Sequence, residues 1–76
     1  MVEVFKTDVT TNDEAKKLID LIHFSFNHYR ANFDLDDCDR ILRIKCESEP
    51  IETNLILSIF NQYGFNAEVL MDDFEL

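Results

Sequence analysis

A chain of 76 residues holds one domain, 1–76, and its 46% hydrophobic content argues for a folded rather than a disordered polymer. Sixteen Asp and Glu oppose seven Lys and Arg, a formal charge of −9. Such a surface repels phosphate backbones and anionic lipid, so neither nucleic acid nor membrane is expected as a partner. No apolar run approaches the roughly 20 residues of a membrane span, and no basic-then-apolar leader opens the chain. A cytoplasmic location is therefore expected, where Cys38 and Cys46 stay reduced. Beginning with Met1 and free of low-complexity segments, the chain is expected to be a complete small gene product. A core this small sits near the limit for folding without self-association or other supplements.

Val2 to Asp8 reads as a strand. Val2, Val4 and Lys6 share one face and Glu3, Phe5 and Thr7 the other; periodicity alone leaves the choice open, and the expectation is Val2 and Val4 inward. Thr11 followed by Glu14 forms a capping box, with Asp13 and Glu14 complementing the helix dipole. Ala15, Leu18, Ile19, Ile22 and Phe26 then recur at helical spacing, widened by Leu21 and Phe24, which predicts a helix from Asn12 to about His28.

Ala31, Phe33 and Leu35 alternate with Asn32 and Asp34 as a half-buried strand. Asp36, Asp37, Cys38 and Asp39 form an acidic turn without glycine. Arg40 to Glu47 alternates again, with Leu42, Ile44 and Cys46 on one face and Ile41, Arg43 and Lys45 on the other, which predicts an antiparallel hairpin. Ser48 to Pro50 is expected to open a second helix, with Ile51, Leu55, Ile56, Ile59, Phe60 and Tyr63 as its apolar face. Gly64 is its expected left-handed cap, with Phe65 folding back on the last turn. Asn66 to Asp72 reads as the last strand, and Asp73 to Leu76 as a frayed tail.

Strand, helix, strand, strand, helix, strand predicts an α+β, ferredoxin-like βαββαβ sandwich. Its antiparallel sheet has the order 4-1-3-2, with both helices on one face. In length and element order the chain resembles the heavy-metal-associated domains, the small copper chaperones and amino-terminal modules of metal-pumping ATPases. Those domains bind soft metal through two cysteines, two residues apart, after the first strand. The matching stretch here, Asp8 to Asp13, holds no cysteine, so the resemblance implies a relative without that metal site.

Chemistry-bearing residues are sparse. Cys46 falls at an inward strand position and reads as a small apolar side chain. Asp36, Asp37 and Asp39 with Cys38 are the candidates for a cation site; the glycine and terminal Glu of a calcium loop are missing. His23 and His28, five apart, fall on different helix faces. With one glycine, no phosphate loop, dinucleotide fingerprint or nucleophile elbow is present, and neither enzymatic activity nor a cofactor is expected. The expected function is that of a small acidic binding or regulatory module. It would act through a protein partner or a homodimer at the open sheet face, with Phe5, Ile41 and Leu70 as contacts. The alternative is a divergent metal-handling domain using Cys38 and the turn aspartates.

Overall fold

The computed structural model describes residues 1–36 and 38–70. In chain order they form β1 (Val2–Thr7), α1 (Asn12–Ser25), β2 (Arg30–Asp34), β3 (Ile41–Lys45), α2 (Thr53–Gln62) and β4 (Ala67–Val69). The four strands make one sheet in the order β2-β3-β1-β4, and every neighbouring pair is antiparallel. Read from its other end this is 4-1-3-2, the split βαβ arrangement that the element order predicts.

Register fixes which residues share a face. Phe5 lies opposite both Leu42 and Val69, Glu3 opposite Ile44, Thr7 opposite Ala67, and Leu42 opposite Phe33. Phe5, Leu42 and Ile44 form one core with Leu18 and Ile22 of α1 and Ile56 and Phe60 of α2, so both helices cover this face. Each such side chain contributes about 1.5–3 kcal/mol by leaving water.

The first strand is therefore turned the other way from the expectation. Phe5 is 0% exposed in the core, while Val2, 54% exposed, and Val4 point away from the helices. Phe buries more apolar area than Val. The polar companion on that face is also satisfied: buried Thr7 donates from Oγ1 to the Arg40 carbonyl at 2.7 Å and accepts from the Val9 amide at 3.3 Å. Glu3 goes with Phe5 to the helix side, not to the open face.

Thr11 caps α1 as predicted, its Oγ1 accepting from the Glu14 amide at 3.2 Å. The helix stops at Ser25 rather than near His28. Phe26 and Tyr29 stack with ring centroids 4.7 Å apart, and burying Tyr29 draws the chain off the helical path. Phe24 does not widen the apolar stripe: two residues past Ile22 it lies about 200° round the helix and is 89% exposed. α2 begins at Thr53, later than the Ser48–Pro50 signal, and has no side-chain cap. Ile51 is buried ahead of it and the Glu52 amide donates to the Tyr29 hydroxyl at 2.7 Å, which delays helical winding. Leu55 lies at the edge of the face and Tyr63 beyond the last turn; both are exposed.

The end of α2 is as expected. Gly64 has φ +83°, its amide reaches the Asn61 carbonyl at 3.2 Å, and the Phe65 amide reaches the Phe60 carbonyl at 2.9 Å. This pair of bonds is the Schellman cap, and half-buried Phe65 packs against the core. β4 is then fastened to β1: the Asn66 amide and side chain donate to Asp8 Oδ1 and Oδ2 at 2.9 and 3.0 Å. The stretch from Met71 onward, including the expected end of this strand and the tail, lies outside the described residues.

Candidate binding face and adjoining cavity

The face of the sheet away from the helices is laid out in three rows by the register. The first runs Arg30, Lys45, Val2; the second Asn32, Arg43, Val4; the third Asp34, Ile41, Lys6, Glu68. Leu70 extends the second row, its amide donating to the Val4 carbonyl at 2.8 Å. Four of the seven basic residues, Lys6, Arg30, Arg43 and Lys45, thus gather on this face, against Asp34 and Glu68. Among the described residues the one salt bridge joins Lys6 to Asp39 at 3.8 Å.

The expected contact residues separate. Phe5 is in the core and leaves the candidate patch. Ile41 does point away from both helices, outside the helix-side cluster, yet it is only 5% exposed. Leu70 is half-buried beside Val4. The open face therefore offers little apolar surface beyond Val2.

Large apolar side chains stand in solvent on the helix side instead. Phe24 and Tyr63 are both exposed, and with Leu21, Lys17 and Asp20 they line a hollow of about 480 Å³. Helical spacing predicts Phe24 and Tyr63 within the apolar stripes, whereas both stand outside the core.

A second, more polar cavity of about 990 Å³ lies where the β2 edge meets the end of α1, lined by His23, His28, Arg30, Asn32, Lys45 and Glu47 among others. His23 caps the edge strand: its Nε2 accepts from the Ala31 amide at 3.1 Å. That bond places the imidazole proton on Nδ1. Sequence spacing gave no signal of it, because His23 and Ala31 are joined only by the turn after α1.

Both cysteines are free thiols, Cys38 exposed and Cys46 buried. Burial pushes the Cys46 thiol up. The Ser48 and Glu49 backbone amides and the Ser48 hydroxyl, 3.8 Å away, outweigh that and the Glu49 carboxylate, so it lies below its ordinary value. In the hairpin turn, Asp36 is exposed and Asp39 is engaged by Lys6; Asp37 lies outside the described residues. Arg40 closes the turn at φ 50°, its guanidinium donating to the Leu35 carbonyl at 2.9 Å. Among the described residues no group of three or more His, Cys, Asp or Glu is placed to hold a metal ion. Nor is any of their helices long and apolar enough to cross a membrane. No known protein family, curated protein or solved structure matches this chain.

Proposed function

We propose that this protein is a small binding module that works by protein–protein contact, and that the contact is with a second copy of itself through the Leu21–Phe24–Tyr63 hollow. The observation that carries this reading is the exposure of two large aromatic side chains beside one apolar hollow. Exposed apolar patches of this kind mark interaction sites. Lys17 and Asp20 flank the hollow with opposite charges. A two-fold interface is self-complementary, so Lys17 of one copy can meet Asp20 of the other. Burying Phe24 and Tyr63 also enlarges a core that is small for an independent domain. The chains' mutual repulsion at −9 each is damped beyond about 8 Å at physiological salt. A cytoplasmic residence belongs to this reading, supported by the two free thiols.

Sedimentation velocity over a concentration series tests it. The expected result is a concentration-dependent dimer that Phe24→Ser abolishes and Val4→Asp leaves intact. A strict monomer up to about 1 mM, a range that covers weak transient pairs, overturns it. A dimer lost in Val4→Asp but kept in Phe24→Ser overturns the location and moves the contact to the open sheet face.

A further inference from the structure

The cavity at the β2 edge has a charge balance opposite to that of the chain. The whole molecule carries sixteen acidic and seven basic residues, whereas this cavity is lined by Arg30 and Lys45 against the single carboxylate of Glu47. Arg30 and Lys45 are direct cross-strand partners. Their Cβ atoms are about 5 Å apart in such a pair, where like charges destabilise a sheet. The other cations of the open face avoid this arrangement: Lys6 faces Glu68, and Arg43 sits between Asn32 and Val4. Neither Arg30 nor Lys45 has an ion pair among the described residues.

We propose that this cavity binds a small, multiply charged oxyanion of the phosphate-ester or polycarboxylate class. Arg30 supplies a planar fork for two oxygens and Lys45 a point charge from the neighbouring strand. Asn32 adds a neutral amide donor, and His23 lines the same cavity with its Nε2 held by the Ala31 amide. About 990 Å³ is room for a ligand larger than a bare phosphate. Of the acids of α1, Asp13 and Glu14 lie at its far end, about 14 Å of helix rise from His23 and beyond the roughly 8 Å screening length, while Asp20 stands one turn from His23. The proposal stands apart from self-association, since the two surfaces share no residue.

The test is an amide NMR titration of the full chain with pyrophosphate and with citrate, against sodium chloride at matched ionic strength. The expected result is saturable shifts centred on Arg30, Asn32 and Lys45 from the oxyanions and not from chloride, with a dissociation constant below about 1 mM. Arg30→Gln and Lys45→Gln each weaken binding about tenfold, Glu47→Gln strengthens it, and Lys16→Gln on α1 leaves it unchanged. A second readout separates ligand binding from a purely structural role: in anion-free buffer, Lys45→Gln raises the melting temperature by relieving repulsion. Equal shifts with chloride, shifts that follow every cation including Lys16, or undiminished binding in Arg30→Gln overturn the proposal. A drop in melting temperature for Lys45→Gln does so too, because it makes the cation pair a support of the strand.

Discussion

Tyr29→Phe isolates one oxygen that ties the two halves of the fold together. The ring stays: it is buried and stacked on Phe26 at 4.7 Å, and Phe preserves that contact. The hydroxyl goes, and with it the 2.7 Å bond from the Glu52 amide at the start of α2. The second bond of this hydroxyl, to the Pro50 carbonyl at 3.5 Å, is too long to contribute much. Leaving a buried donor unsatisfied costs about 1–3 kcal/mol. Glu52 itself is exposed, so water reaches its amide in part and the loss falls near the lower end, at about 1 kcal/mol. A domain of this length is stable by about 4–11 kcal/mol in all, so the change is measurable without unfolding the chain. Urea unfolding followed by far-UV circular dichroism should show a lower midpoint at unchanged slope, and the melting temperature should fall by roughly 4–8 °C. Tyr63→Phe, on an exposed ring, is the control and should stay within about 0.3 kcal/mol. A Tyr29→Phe variant as stable as the parent refutes the claim that this phenol holds the entry to α2.

Phe5→Ala should cost about 3–5 kcal/mol in urea unfolding and Val4→Ala much less, because only Phe5 is enclosed; equal losses would mean that β1 faces the other way. Gly64→Ala should cost about 1 kcal/mol by the same assay, and the cause is backbone alone, since a Cβ there meets nothing within 4 Å while φ is +83°. In native protein Cys38 should react with a thiol reagent and Cys46 only after unfolding, as mass spectrometry of the alkylated chain would show. The Cys46 thiol lies below its ordinary value when folded, so its contribution to stability is full above the unfolded thiol's pKa and is lost as pH falls through the folded one. The stability gap between the parent and Cys46→Ala should therefore widen from neutral into alkaline pH, and a flat gap would contradict the amide contacts assigned to Sγ.

The element order, the hairpin, the Thr11 cap and the Gly64 stop were legible because each rests on local chemistry within a few residues. The facing of β1 was not settled by counting apolar residues, since both faces carry them. Charge does not decide it either, since one facing turns Lys6 inward and the other Glu3. The structure encloses Phe5 and Thr7, whose hydroxyl has two partners, while Glu3 stays half-buried near the start of the strand. Because the side-chain period of a strand is two, that one choice moves Phe5 from the contact patch to the core and Glu3 with it. Phe24 and Tyr63 were misplaced for a different reason: a stripe read too wide absorbs residues that lie beyond the buried arc. The roles of Tyr29 and His23 were out of reach, because each bonds to a backbone amide brought near only by the fold.

Net charge also needs reading at the right length scale. A value of −9 describes the far field and argues against a polyanion lying along the molecule, which must neutralise many phosphates at once. Strand alternation then sorts the charges: β3 sends Leu42 and Ile44 to the core and Arg43 and Lys45 to the open side. The three rows that result carry no aromatic ring on which a base could stack. They do bring two cations into direct opposition beside a cavity, within one screening length of each other. What the overall charge excludes for a long polymer it therefore does not exclude for a small anion. The salt dependence of pyrophosphate binding distinguishes the two scales: a single site held by Arg30 and Lys45 should weaken gradually as sodium chloride is raised, without the steep loss that a many-phosphate contact shows.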